Sequence, residues 1–263
     1  MDSKPIGVFD SGLGGLTVAD AIRKRYPDRK IIYFGDTARI PYGTKSKEVI
    51  TKYALQNCRF LLSKGVGAII AACGTVSANA VEAMKSTFSI PIEGVVEGAS
   101  RKAAEIAAAG NGVIGVLGTG LTVKSGAYEK TIKNVDKSLK VISVACPMFV
   151  PLVENGYADS EPARMIARDY LTDLSFQKPE CVILGCTHYP ILKKVISEIF
   201  CDSLLIGAGS CAVDGFDELF KNSQKGDSEF YVSDDPASFI ANAGTFFGGS
   251  IDGAVYVADI EKY

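Results

Sequence analysis

Two cysteines carry the chemical interest of this chain: Cys73, in Ala72-Cys-Gly-Thr75, and Cys186, in Gly185-Cys-Thr-His188. Each closes an apolar run that reads as a buried strand, and each is followed within two residues by a threonine. A thiol at the carboxyl end of a parallel strand, beside the start of a helix, stands where open α/β sheets bind ligands and where a helix amino terminus favours thiolate. Two such thiols suggest one site with a reactive group on each side. His188, the only histidine, follows Cys186 by two residues, placed to tune that thiol or share its proton. The remaining cysteines read as small buried hydrophobes. Cys58 sits in a helical pattern and Cys181 opens an apolar run, while Cys146 stands before Pro147 at a strand end; Cys201 and Cys211 carry no further signal.

Other loops add polar groups. Asp10-Ser-Gly-Leu-Gly-Gly-Leu16 follows a strand and opens a helix as a phosphate loop does, but Thr17 stands where the third glycine of G-x-G-x-x-G belongs, and no Gly-Lys-Ser/Thr follows. A carboxylate at the loop mouth would repel phosphate. Asp10 fits better as a proton acceptor or as the partner of an ammonium or thiol, the alternative being a cap on a helix from Leu13. Pro41-Tyr42-Gly43 reads as a tight turn after Gly35-Asp36-Thr37, able to offer the Tyr42 hydroxyl and the Gly43 amide to a ligand. Cys181, Cys186 and His188 match no zinc spacing, no G-x-S-x-G elbow is present, and no lysine has a Schiff-base signature, so neither metal nor nucleotide nor pyridoxal phosphate is expected.

These residues need elements to hold them. Apolar β-rich runs at Ile6–Phe9, Lys30–Phe34, Gly67–Ala72, Gly112–Leu117, Leu139–Val144 and Cys181–Leu184 alternate with helical patterns, which predicts parallel sheets flanked by helices. Ser160 before Glu161-Pro162 and Asp235-Pro236 mark helix starts, and Gly110-Asn111-Gly112 a helix stop. Both Ile6–Gly12 and Val113–Gly120 run from an apolar strand into a glycine and hydroxyl loop, so two related α/β domains are expected across a cleft. Their expected bounds are 1–97 plus a returning 207–263, and 98–206. The length of 263 residues, with 47% hydrophobic and 22% charged, suits that size. A net charge of −2 without a basic stripe argues against nucleic acid, and no apolar run reaches the roughly 18 residues of a membrane span. The odd cysteine count, and a start (Met1-Asp-Ser-Lys-Pro5) without signal-peptide features, point to the cytoplasm.

Taken together, Asp10-Ser-Gly-Leu-Gly-Gly-Leu16, Gly35-Asp-Thr-Ala-Arg-Ile-Pro-Tyr-Gly43, Ala72-Cys-Gly-Thr75, Cys146-Pro147 with Pro151-Leu-Val-Glu154, and Leu184-Gly-Cys-Thr-His-Tyr-Pro190 closely resemble the glutamate racemases, cofactor-independent amino-acid racemases. The resemblance extends to Phe230-Tyr-Val-Ser-Asp-Asp-Pro236 and so covers nearly the whole chain. It implies two domains facing across a cleft, each giving one cysteine: one thiolate removes the α-proton of glutamate and the other thiol returns a proton from the far side. By resemblance Asp10 assists Cys73, while His188, backed by Glu154, assists Cys186. Ser11, Pro41, Tyr42, Gly43, Gly74, Thr75, Thr119 and Thr187 would then surround the substrate with Asp10. Supply of D-glutamate for peptidoglycan is implied too, with aspartate or hydantoin racemisation and a non-catalytic binding protein as alternatives. A homodimer is left open, and a first strand beginning by about Lys4 implies no activator-binding extension. Three positions depart from the family pattern: Gly74 replaces asparagine, Val76 alanine, and Gly207 aspartate. The loss of an amide at 74 suggests that Gly74→Asn would tighten glutamate binding.

Overall fold

The computed structural model describes residues 3–249, 251 and 254–263. Its strands are β1 (Ile6–Asp10), β2 (Ile31–Gly35), β3 (Ala68–Ala71), β4 (Ile92–Gly94), β5 (Val113–Gly118), β6 (Lys140–Ala145), β7 (Cys181–Leu184), β8 (Leu204–Gly207), β9 (Glu229–Val232) and β10 (Val255–Val257). They form a six-stranded sheet in the order β10-β9-β2-β1-β3-β4 and a four-stranded sheet in the order β6-β5-β7-β8. Every pairing is parallel.

Leaving aside β9 and β10, the two sheets have one order. β1 lies between β2 and β3 with β4 outermost, as β5 lies between β6 and β7 with β8 outermost. In each, the chain leaves the first strand to one side and returns to the other, opening a crevice at the carboxyl ends of β1 and β3, and of β5 and β7. Asp10 ends β1 and Cys73 follows β3; Thr119 and Cys186 follow the second pair.

The central strands β1, β2 and β3 of the six-stranded sheet are buried on both faces, which explains their apolar sequences. Val8, Tyr33 and Ile70 face one core together with Leu16 and Val18 of the helix Leu16–Arg25; Phe9, Phe34 and Ile69 face another with Ile50 and Leu61 of the helix Lys47–Ser63. The first of these cores continues into the four-stranded sheet through Val95 and Ala99 of the helix Val95–Ala108 and Ala208 and Ala212 of the helix Ala208–Val213. The two lobes therefore share a hydrophobic base.

Helix starts follow the sequence signals. Ser160 Oγ accepts from Ala163 N at 3.2 Å ahead of the helix Glu161–Ser175, and Asp235 Oδ1 accepts from Ser238 N at 3.0 Å ahead of the helix Pro236–Phe247. Asp10 caps no helix: its neighbouring helix begins at Leu16, after Gly15, and Asp10 Oδ2 accepts from Gly12 N at 3.0 Å. The strands β4, β8, β9 and β10 are additional to those read from sequence. They have only three or four residues each, too few for alternation to stand out from loop.

Candidate active site

A cavity of about 380 Å³ lies between the lobes at the carboxyl ends of the strands. Cys73 and Cys186 both line it, with Ser11, Pro41, Tyr42, Gly43, Gly74, Thr75, Thr119, Glu154, Thr187 and His188. Of the site residues named from sequence, only Asp10 is absent from the lining; it is fully buried immediately behind, where its Oδ1 accepts from Thr187 Oγ1 at 3.4 Å.

The first lobe supplies Cys73 from the turn between β3 and the helix Gly74–Asn79. Its Sγ donates to Ser11 Oγ at 3.8 Å. Burial pushes this thiol up to about 12, the charge of Asp10 adds to the rise, and the backbone N–H of Val76 and the Ser11 hydroxyl oppose it. Burial raises the Asp10 carboxyl as well, against the charge of His188 and the backbone N–H groups of Gly12, Gly15 and Ser11. A neutral thiol beside a carboxyl whose pKa has moved upward is a pair suited to passing a proton at modest cost.

The second lobe supplies Cys186 just past β7, less deeply buried than Cys73. His188 Nδ1 lies 3.9 Å from Cys186 Sγ, and its Nε2 is 3.1 Å from Glu154 Oε1. Burial pulls the imidazole downward, but hydrogen bonds to Cys186 and Glu154, with the charges of Cys186 and Asp10, prevail and raise it to about 10. The protonated imidazole is thereby favoured, placed to hold negative charge on Cys186 or to hand it a proton. The ring of Phe246, from the helix Pro236–Phe247, packs edge-on against His188 with centroids 5.3 Å apart.

Two sequence expectations need correction. The Tyr42 hydroxyl is already engaged: it donates to Asp36 Oδ2 and accepts from Asn57 Nδ2 at 3.3 Å, although Tyr42 lines the cavity. Asp36 also holds Arg39 Nε at 2.7 Å, and the same guanidinium donates to Gln56 Oε1 at 2.6 Å and Asn57 Oδ1 at 3.0 Å. This buried cluster anchors the Pro41–Gly43 turn. The expectation that Gly74→Asn would add a useful amide also fails on geometry, because a Cβ at position 74 would fall 2.0 Å from the Gly185 carbonyl oxygen.

Sequence reasoning missed several contributors. Cys146, taken as structural, lines the cavity with Pro147, Val150 and Asn155. Its placement at a strand end before proline was the available signal. Phe246 had none, since nothing local connects it to His188. Arg39 and Asp36 could have been found as opposite charges three residues apart within a mostly apolar stretch. The hydroxyls of Thr75 and Thr119 meet at 3.0 Å across the cleft, a contact between loops remote in sequence.

Among the described residues, no group of three or more His, Cys, Asp or Glu is placed to hold a metal ion. No described helix is long and apolar enough to cross a membrane. All seven cysteines are free thiols.

Comparison with known proteins follows this geometry. A model of the Asp/Glu/hydantoin racemase family matches residues 16–214. The chain is 44% identical to a glutamate racemase of Geobacter metallireducens over 99% of its own length and 98% of that protein. A glutamate racemase from Francisella tularensis, solved in complex with D-glutamate, superposes with a TM-score of 0.91 at 34% identity, covering 100% of both chains. The glutamate racemase of Thermus thermophilus, solved with β-chloro-D-alanine, gives 0.88 at 38% identity, again over 100% of both.

Proposed function

Since this chain belongs to the Asp/Glu/hydantoin racemase family and is an amino-acid racemase, we propose that it interconverts L- and D-glutamate by proton transfer between the substrate α-carbon and two thiols. The observation that carries this reading is the convergence of Cys73 and Cys186, from equivalent places in two sheets of like order, on one cavity. In one direction the Cys73 thiolate removes the α-proton while the Cys186 thiol delivers a proton to the opposite face; in the other the roles exchange. Each turnover leaves the thiols in swapped protonation states, and no external oxidant, reductant or cofactor takes part.

The α-proton is far less acidic than a thiol of ordinary pKa about 8.5, so the site has to supply a strong base and limit water around the forming carbanion. A thiolate formed at Cys73, whose thiol is pushed up to about 12, is such a base, with the neighbouring Asp10 as acceptor for the thiol proton. His188, held by Glu154, holds negative charge on Cys186 or hands it a proton. Donors for the substrate carboxylates and partners for its ammonium come from Ser11, Thr75, Thr119, Thr187 and the Gly43 amide. Tyr42 shapes this part of the site through its anchored turn.

We assign residues 1–97 and 207–263 to one domain and 98–206 to the other; placement of β9 and β10 in the sheet of β1–β4 supports the return of the chain. Production of D-glutamate for peptidoglycan in the cytoplasm fits the family, and the match to relatives over nearly their whole length supports glutamate as substrate. A second reading, a racemase of aspartate or another amino acid, is favoured only by Gly74.

The deciding experiment incubates L-glutamate with chelator-treated protein in D2O and follows both enantiomers and α-deuterium by NMR. D-Glutamate carrying deuterium at the α-carbon is expected. Racemisation of aspartate but not glutamate would overturn the substrate, and inversion without α-deuterium would overturn the proton-transfer mechanism.

A further inference from the structure

Gly74 follows Cys73 on the first lobe, and Gly185 precedes Cys186 on the second. The backbones of these two glycines meet across the cleft. A Cβ added at Gly74 would fall 2.0 Å from the Gly185 carbonyl oxygen, 3.1 Å from its carbonyl carbon and 3.6 Å from Cys186 Cα. The obstacle is main chain, which cannot rotate away as the end of a long side chain can.

Gly185 has no room to retreat. Its N–H donates to the Leu117 carbonyl at 2.8 Å, and a Cβ built at Gly185 would lie 2.7 Å from that same oxygen and 3.1 Å from the Tyr128 ring. Tyr128 and Leu117 belong to the packed core of the second lobe. Atoms added at Gly74 must therefore move the lobes apart, together with the thiols that immediately neighbour the two glycines. The same contact separates the 380 Å³ cleft from a second cavity of about 190 Å³, because Gly74, Cys186 and Thr187 line both.

We propose that Gly74 is a positioning residue: its bare backbone, stopped against the Gly185 carbonyl, sets how closely the lobes approach and hence the spacing of Cys73 and Cys186. This chain works at a closer approach than a side chain at position 74 would allow. Asparagine there acts in this chain as a wedge. The inference rests on the two-thiol reading for its effect on rate but not for its effect on spacing.

The test uses Gly74→Ala and Gly74→Asn in the full chain with Cys201 and Cys211 replaced by serine. Thiol spacing is read with dibromobimane, a short reagent that fluoresces when it bridges two thiols, against a long flexible bis-maleimide, with the bridged peptides identified by mass spectrometry. The Gly74 protein is expected to be bridged between Cys73 and Cys186 by the short reagent. Both variants should lose that bridge and keep the long one. Their kcat for glutamate should fall by about a hundred-fold, the cost of displacing reacting groups by about an ångström, with KM much less affected.

Short bridging and kcat retained in either variant would overturn the proposal. So would failure of the short reagent on the Gly74 protein itself, a measurement that needs no variant to fold. If the bridge responds to substitution but Cys73→Ala remains fully active, the spacing role stands and the two-thiol mechanism falls.

Discussion

The two ends of the cleft hold the same nucleophile in opposite surroundings. Cys73 is buried and stands beside a carboxyl, both of which keep its proton in place against the pull of the Ser11 hydroxyl. Cys186 is more open and has 3.9 Å away an imidazole whose protonated form is favoured, itself tied to Glu154. Two lobes of like strand order have thus produced one thiol that rests neutral and one that sits beside a proton-holding imidazole. A two-way proton transfer benefits from that inequality, because one group should be ready to give a proton when the other is ready to take one.

The largest effect expected on this comparison comes from removing either thiol. Cys73→Ala and Cys186→Ala should each reduce racemisation by about 10³-fold, within the range for a positioned acid or base, while circular dichroism shows a folded chain. Each should retain some α-proton exchange with solvent from the enantiomer facing its remaining thiol. Full racemisation by either variant would remove the basis of the comparison.

A smaller but more discriminating effect is expected from the assisting groups. Asp10→Asn should slow exchange initiated at Cys73 more than exchange initiated at Cys186, and His188→Asn should do the reverse, each by about 10²-fold for the affected direction. Initial rates of deuterium wash-in from pure L- and pure D-glutamate separate the two. Equal slowing of both directions by both variants would make the ends functionally alike.

Next comes the anchor beneath the Pro41–Gly43 turn. Arg39→Met leaves Asp36 buried without its cation and should cost about 3 kcal/mol of stability, read by urea unfolding. KM for glutamate should rise more than kcat falls, since the turn lines the cavity without carrying a thiol.

His188 supplies the pH prediction. Its pKa rises from 6.5 to about 10 in the folded chain, so proton binding there stabilises the fold fully below about pH 6.5, and the contribution fades as pH climbs through the folded value. The gap in Tm between the unaltered protein and His188→Asn should therefore narrow on the alkaline side. Glu154→Gln removes one of the bonds that hold the pKa up and should move the alkaline limb of kcat/KM to lower pH. A limb that stays in place would dissociate Glu154 from His188. The smallest effect belongs to Cys58→Ala, far from the contrast: about 1 kcal/mol of stability and no change in kcat.

Much of the site was legible because its parts are local. Cys73 and Cys186 announced themselves at the ends of apolar runs, and His188 two residues from its thiol needed no long-range inference. The Tyr42 hydroxyl was misread for the opposite reason: a turn motif shows that a side chain is available, but not that Asp36 and Asn57 already hold it. Phe246 was invisible because its contact with His188 arises only when the returning segment adds β9 to the first sheet beside β2.

By itself, the sequence determined the alternation of buried strands and helices, the repetition of a strand-end loop, and the family to which its motifs point. Those are properties of short segments, where periodicity and residue type act within a few positions. Only the tertiary structure decided which groups meet: that Asp10 lies behind the cavity wall, that Thr75 bonds Thr119, and that Gly74 rests on the Gly185 carbonyl. The meaning of Gly74 shows why. In sequence it is a missing amide; in space it is a backbone contact between two lobes whose tight packing leaves no volume for a Cβ, and contact distance between remote segments is not encoded in either segment alone.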